Sequence, residues 1–488
     1  MTKRLLGLAV ILLFAGYLRL HQHVDNPMWY TDEATHINIA HYLAQGQIRY
    51  LAVDDSVLLF ARVPLFHALL AGVSAIFGEG MATLRGLTGM LGVINVLLVY
   101  GMAYHLSKRD SFALLAAGCL AIYPDAVLYN RFGFSYNLLA PLVLLMVWGL
   151  VVYWRTYSRK WLFMAGFALG LGLITDIMAG SFILPLMLIV CIRRWRDALW
   201  ILLVILFPFG LYAALMLLAA PDAFWFDLQY TLSRLNTMTL PEQIDNVIQN
   251  YTVLFNKNFW FPLGFLGIIW IVERDFRWIA ALFLFFPLFS LARTVALFNL
   301  SFYYMIPLLP LIALGVAAAL DGLWRSTANI PLKIGVLLLV VGIPLADSVN
   351  QTLHDVNNGY ITEIDGFLIN PDHARVVADF INANTIETDV VIASAGMGWL
   401  FHANTADFQM VVAYDGVEVV HLPGDMPQSR FAFDPRYESA RFVVIDDLWR
   451  MWGAVHIPGV AAMMQDVEAN WSLVLQQGTI WVYKQTGG

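Results

Sequence analysis

The sequence predicts a polytopic α-helical membrane protein of about eleven transmembrane helices, with a small C-terminal α/β domain held outside the bilayer. Three observations carry that prediction. The 488 residues are 60% hydrophobic and only 13% charged. Basic residues recur in the short connections between apolar runs, always on one side. The composition changes abruptly after Val349. Ordinary soluble chains are about 25% charged, and 32 Phe, 16 Trp and a mean hydropathy of +0.68 supply more apolar surface than globular cores hide. The net charge of −7 comes mostly from the last third of the chain. No basic stripe exists to neutralise a nucleic-acid backbone, so DNA and RNA binding are excluded.

Apolar segments with few charges run over 4–20, 84–105, 112–129, 135–154, 161–175, 178–192, 198–220, 259–272, 277–292, 302–320 and 331–347. The first has Lys3 and Arg4 ahead of an apolar core but no small-residue cleavage site before Tyr17-Leu18-Arg19, so it reads as an uncleaved helix. Lys3/Arg4, Lys108/Arg109, Arg155/Arg159/Lys160, Arg193/Arg194/Arg196, Arg274/Arg277 and Arg325/Lys333 then fall on one side, which the positive-inside rule makes cytoplasmic. Counting 57–77 as a further span inverts every later basic loop. That stretch therefore lies in the interface or re-enters, and Arg62 with Pro64 two residues on fits an irregular entry. Residues 21–83, the turn around Asn130, a long connection at 221–258 and everything after about 348 face outside. Cys119 and Cys191 sit inside apolar runs and read as small buried hydrophobes.

Two regions result: residues 1–349 in the membrane, with an outer loop at 21–83, and an extracytoplasmic domain at 350–488. In the latter, 373–384 has helical spacing at Val376, Val377, Phe380 and Ile381, and strand-like runs follow at 389–394, 408–414 and 441–446. The closing WSLVLQQGTIWVYK reads as a hairpin around Gln477-Gly478. AGMG at 395–398 lacks a full GxGxxG and reads as turn chemistry.

The candidate chemistry gathers at the outer rim. Trp29-Tyr30-Thr31-Asp32-Glu33-Ala34-Thr35-His36 sets two adjacent carboxylates at a helix start. Thr31 as a cap, and acids favoured by the helix dipole, explain them structurally. A carboxylate at the membrane surface is also placed to take a proton from an acceptor beside a lipid-borne substrate. Arg62, Arg85, Arg131 and Arg293 run against the positive-inside trend. Lipid headgroups account for some of them, yet together they match a phosphate cage, since guanidinium forks fit phosphate oxygens. One base and one phosphate cage define a reaction class. If a sugar is linked to a lipid through one phosphate, cations stabilise the departing phosphate while Asp32 deprotonates a hydroxyl attacking from the opposite face, inverting the anomeric centre.

The succession of an acidic pair after the first helix, Arg62-Val63-Pro64-Leu65, ATLRGLTGMLGVINVLLVYGMAYHL, and Tyr129-Asn130-Arg131-Phe132 resembles the C-type glycosyltransferases of family 39, which include protein O-mannosyltransferases and the aminoarabinose transferase acting on lipid A. Phe302-Tyr303-Tyr304-Met305-Ile306-Pro307-Leu308-Leu309-Pro310 is similar to that family's Tyr-x-x-Pro-x-x-Pro helix. The resemblance covers residues 1–350 in order and hydropathy. It implies a GT-C fold, a polyprenyl- or dolichyl-phosphate sugar donor, transfer on the outer face, Asp32 as base, and Arg62 and Arg293 near the donor phosphate.

Departures from the pattern bear on the site. Arg62-Val63-Pro64 stands where many members have Lys-Pro-Pro, and Asn130-Arg131-Phe132-Gly133-Phe134-Ser135-Tyr136 lacks the second acid of Ser-Arg-Phe-x-x-Thr-Asp. Asp125 is the candidate substitute. Thr175-Asp176 stands where relatives often have Thr-Lys, reversing a charge near the presumed donor pocket. His21, His23, His36 and His41, with Asp25, Asp32 or Asp54-Asp55, match no known ligand spacing, so no cofactor is expected and a divalent metal is disfavoured. The 221–258 segment, with Trp225, Tyr230, Arg234, Asn236 and Tyr251, is either a cover over lipid or acceptor or an interfacial aromatic belt.

The expectation is an inverting, multi-pass membrane glycosyltransferase with a cytoplasmic N-terminus, moving a sugar from a polyprenyl-phosphate donor to a hydroxyl-bearing acceptor. Asp32 is its base and Glu33 orients that base or the acceptor. Arg62, Arg131 and Arg293 hold donor phosphate, with Asp125, Asp176, Arg85 and Tyr304 as accessory residues. Two alternatives stay open: a polytopic transporter, against which the rim position of the charges argues, and a catalytically inactive assembly subunit, for which the missing second acid argues.

Overall fold

A computed structural model describes residues 2–55, 62–233, 239–271, 274–294, 299–326, 329–360, 365–419 and 422–485. Residues 57–61 of the ambiguous stretch, and Arg234 and Asn236 of the long connection, lie outside the described residues.

The membrane half opens with α1 (Thr2–Leu20), α2 (Thr31–Ala44) and α3 (Pro64–Phe77). A bundle follows: α4 (Met81–Ser107), α5 (Asp110–Ile122), α6 (Pro124–Asn130), α7 (Tyr136–Thr156), α8 (Arg159–Leu173), α9 (Ile183–Arg194) and α10 (Ala198–Ala219). After α11 (Pro221–Ser233) and α12 (Leu240–Lys257) come α13 (Trp260–Trp270), α14 (Arg274–Thr294), α15 (Leu309–Arg325), α16 (Ile330–Val336) and α17 (Ile343–Asn358). Among the described residues four helical stretches are long and apolar enough to cross a membrane: Met81–Ser107, Tyr136–Thr156, Ile177–Ala219 and Phe276–Arg293, or five if α5 and α6, bent by 59°, form one broken span. The eleven spans expected from hydropathy are thus not eleven long helices. Pro124 at the start of α6 divides the 112–129 run, the 178–192 and 198–220 runs join in one stretch, and α13 is only 11 residues long.

Close packing holds the bundle. The backbones of α13 and α15 touch at Gly264, Gly267 and Gly315, where an added Cβ at Gly264 would sit 2.7 Å from the Ile312 carbonyl oxygen. Only a residue without a side chain permits that approach, which is how membrane helices gain van der Waals contact. Arg19, in the last turn of α1, is buried by serving carbonyls. Arg19 donates to Asn130 Oδ1 (2.8 Å) and to Leu120 and Ala121 oxygens (3.0 Å each). Asn130 in turn donates to Asn137, fixing the break between α6 and α7. Cys119 is buried as expected, whereas Cys191 is exposed on α9, because that helix turns this side away from the bundle.

The predicted interfacial stretch becomes α3, a 14-residue apolar helix with Pro64 at its first turn, where a missing N–H costs nothing. The described residues of the connection expected at 221–258 are largely helical, in α11 and α12, and reach the C-terminal region: Asp227 pairs with Arg430 at 3.1 Å and Tyr230 donates to the Val419 carbonyl.

The C-terminal region carries a sheet, and short strands tie it to the outer loop. β1 (Trp29–Tyr30), β2 (Arg49–Tyr50) and β3 (Val53–Asp54) belong to the loop. β4 (Leu368–Ile369) pairs antiparallel with β1, Trp29 opposite Ile369. β5 (Val390–Ile392), β6 (Asn404–Ala406), β7 (Phe442–Ile445), β8 (Ser472–Gln477) and β9 (Ile480–Lys484) form a five-stranded sheet in the order β6-β5-β7-β9-β8. β6, β5 and β7 are mutually parallel, and β9 and β8 are antiparallel.

Alternation along β7 sends Phe442 and Val444 to one face, against Val377 and Ile381 of α18 (Pro371–Asn384), and Val443 and Ile445 to the other. There they meet α19 (Phe408–Tyr414) and Tyr50 to Val53 of the outer loop. Residues 408–414, expected as a strand, are helical: Asp407 accepts from the Met410 N–H as a cap, and Phe408, Val411 and Val412 pack on the sheet. The boundary expected at 349/350 falls inside α17, which runs Ile343–Asn358.

Candidate functional site

Residues from both halves line one cavity of about 500 Å³, among them Asp32, Thr35, Tyr50, Arg62, Tyr136, Asp176, Tyr304, Asp407 and Gln409. The first turn of α2 decides which acid faces it. Asp32 points into the cavity, and Arg62, just before the first turn of α3, stands 3.2 Å from it. Both side chains remain partly exposed. Burial works against the Arg62 charge, but Asp32, joined by Tyr136, Tyr303 and Asp176, outweighs it and holds the guanidinium above its ordinary range.

Glu33 points the other way. It is fully buried against Arg85, also fully buried, at 2.5 Å. Its Oε1 accepts from Arg85 Nε and the Gly133 N–H, and its Oε2 from Arg85 Nη2 and the Tyr30 N–H. Every lone-pair direction is taken, so the expected role of orienting base or acceptor is corrected: Glu33 locks α2 to α4 and to the loop before α7. Arg85 completes the lock by donating to the Pro27 and Met28 carbonyls. The accessory role expected for Arg85 is structural for the same reason.

Arg131 is corrected too. Its guanidinium is fully buried, spends four of its N–H groups on the carbonyls of Leu18, His21 and Asn26, and does not line the cavity. Asp125 does not replace the missing second acid. It is held by Lys257 at 2.9 Å and Asn258 at 3.0 Å, outside the cavity. Arg293 is exposed and does not line the cavity, though Ser290, one helical turn earlier on α14, does.

Asp176 and Tyr304 do line it. Asp176 caps the turn after α8 by accepting from the Met178 N–H, and burial pushes its carboxyl up to about 6. Tyr304 packs tilted against Tyr303 (4.5 Å between centroids) and meets Tyr136 edge-on at 5.2 Å. On the far side of Arg62 lies a second, apolar groove lined by Ile39, Leu43, Pro64, Tyr212 and Met216. Arg62 is therefore shared between an oily groove and a polar cavity.

Of the histidines considered as metal ligands, His36 pairs with His67 at 2.9 Å and His41 with Glu79 at 2.8 Å. Among the described residues no three His, Cys, Asp or Glu side chains come together. Sequence reasoning missed Thr35, Tyr50, Asp407 and Gln409. Thr35 was legible, since it follows Thr31 by four residues and shares its helical face. The others reach the cavity only through the tertiary fold.

The cationic loop residues gather elsewhere. Arg109 binds Asp321 through two 2.8 Å bonds, and Arg4 binds Asp110. From Arg85 to its end at Ser107, α4 puts about 33 Å between these pairs and the Arg85–Glu33 lock.

Comparison with known proteins places this geometry. Residues 61–225 match the family model described as dolichyl-phosphate-mannose-protein mannosyltransferase. No curated protein matches the chain. The crystal structure of ArnT from Cupriavidus metallidurans bound to undecaprenyl phosphate superposes with a TM-score of 0.64 at 14% identity, over 100% of this chain and 99% of that one. The same enzyme in its apo state gives 0.62 at 14% identity, over 98% and 97%. In fold along its whole length, and in sequence pattern over residues 61–225, the chain is similar to the C-type glycosyltransferases of family 39.

Proposed function

We propose that the protein is an inverting membrane glycosyltransferase that moves a sugar from a polyprenyl-phosphate donor to an acceptor hydroxyl on the extracytoplasmic side. One observation carries the reading: Arg62 stands 3.2 Å from Asp32 at the junction of the apolar groove and the polar cavity. A lipid tail in the groove places its phosphate at Arg62 and its sugar in the cavity. The phosphate competes for the Arg62 fork and draws it off Asp32. The freed carboxylate takes the proton of the acceptor hydroxyl as that oxygen bonds to the anomeric carbon. The carbon–oxygen bond to phosphate breaks, its electron pair leaves on the phosphate, and the product lipid departs as polyprenyl phosphate. A single displacement inverts the anomeric centre. Arg293, exposed three residues after Ser290, is the further cation this reading assigns to the phosphate.

The likeness to ArnT, whose crystal structure is bound to undecaprenyl phosphate, supports the lipid-phosphate donor. The experiment is release of undecaprenyl phosphate from a panel of undecaprenyl-phosphate sugars by purified protein in nanodiscs, with and without EDTA. Release from at least one donor, unchanged by EDTA, is the expected result. Release abolished by EDTA contradicts the metal-free step. No release with acceptor extracts present contradicts the reading.

A further inference from the structure

The outer sheet meets the cavity by its binding edge. Chain order along β6-β5-β7 reverses at β5, whose neighbours on either side are β6 and β7. In open α/β sheets the crevice beyond the carboxyl ends of the strands, at such a reversal, is where ligands bind. Here the segments leaving those three ends all line the Asp32 cavity: Ala395 after β5, Asp407, Gln409 and Met410 after β6, and Leu448 and Trp452 after β7. Gly396 makes the approach possible. A Cβ there would lie 3.1 Å from Thr31 Cγ2 and would overlap Ile369, and Thr31 immediately precedes Asp32.

Within that edge Gln409 has an unmet bond. The residue is 9% exposed, and its Oε1 has no hydrogen-bond partner. A buried amide oxygen left unpaired is costly, so the site is built for a group that donates to it. Asp407, beside it, spends Oδ1 on the Met410 N–H and also faces the cavity. The order of features identifies the donor group. The apolar groove lies on one side of Arg62, and Gln409 lies in the cavity on the other, where the polar substituent of a lipid phosphate must sit.

We propose that Gln409, with Asp407, reads the hydroxyls of the transferred sugar, so that the C-terminal sheet and not the membrane bundle sets which sugar is accepted. This rests on the lipid-phosphate sugar reading above. It assigns to the outer region a specificity role in the same active site.

The test compares binding of undecaprenyl phosphate alone with binding of undecaprenyl phosphate carrying glucose, mannose or arabinose, for wild type, Gln409→Leu and Gln409→Asn in nanodiscs. Wild type is expected to hold one sugar-bearing lipid more tightly than the bare lipid. Gln409→Leu is expected to lose about tenfold or more of that preference while binding the bare lipid as wild type does, and Gln409→Asn to keep part of it. A Leu variant with the wild-type preference overturns the proposal, as does one that weakens bare and sugar-bearing lipids equally. If the Leu variant folds poorly by thermal unfolding, Gln409→Met, of similar length, carries the same comparison. Wild-type protein that binds the bare lipid yet prefers no sugar overturns this inference alone. Wild-type protein that binds no polyprenyl phosphate at all overturns the donor reading with it.

Discussion

Asp32 meets Arg62 across 3.2 Å at the mouth of the shared cavity, while the next residue in the chain is sealed from it. Adjacent positions on a helix point about 100° apart, so one acid of the pair faces the cavity and the other faces the bundle. That division separates chemistry from stability and makes the two testable apart.

Arg62→Ala is expected to weaken binding of undecaprenyl phosphate by about 10- to 100-fold, the worth of a lost charge-assisted hydrogen bond. Arg62→Lys should recover part, because charge is kept and the fork is not. Lipid binding in nanodiscs measures both, and an Ala variant with wild-type affinity removes Arg62 from the donor site.

Glu33→Gln should act on folding. It leaves Arg85 buried beside a neutral group that cannot accept in all four directions, and breaking a buried pair costs about 3–5 kcal/mol. Thermal unfolding should fall sharply, while turnover per folded molecule stays near wild type. A stable Glu33→Gln protein without turnover would return Glu33 to the catalytic set.

Asp407 gives a pH signature. Burial pushes its carboxyl up to about 6 from an ordinary 3.8. A raised carboxyl contributes stability that is present in full below about pH 4 and is lost as pH rises through about 6, because the folded state resists the charge. Asp407→Asn keeps a capping oxygen and removes the titration. Its stability should therefore be flatter between pH 4 and 7, gaining on wild type by up to about 3 kcal/mol across that window. Parallel stability curves for the two proteins would contradict the burial argument.

Gly396→Val should separate the halves. The new side chain meets Ile369 and Thr31, displacing the outer sheet from the start of α2, so overpacking of about 1–3 kcal/mol is expected. Turnover should fall further than stability does. Unchanged turnover in a folded Gly396→Val protein would show that the sheet edge is dispensable.

Asp32, Arg62, Asp176 and Tyr304 were legible because their signals are local: an acid pair at a helix start, an arginine ahead of Pro64, a Thr-Asp step, and a tyrosine in a Pro-punctuated run. Arg131 and Arg85 were misread because a sequence gives the charge but not the carbonyls that consume it. Seven backbone oxygens and a buried glutamate, distant in the chain, take those donors. The segment 408–414 was misread for a related reason. Its run of β-branched residues suits a strand, and only the Asp407 cap and the facing sheet make it a helix. Gln409 carries no local signal, since its place beside Asp32 depends on β1 pairing with β4 some 340 residues away along the chain.

The most direct measurement is release of undecaprenyl phosphate from the preferred sugar-bearing lipid by wild type and Asp32→Asn at equal donor occupancy. The Asn variant is expected to bind the donor and to lose about 10²- to 10⁴-fold in turnover, because the base acts in the transition state. An Asp32→Asn protein that turns over at the wild-type rate would contradict it.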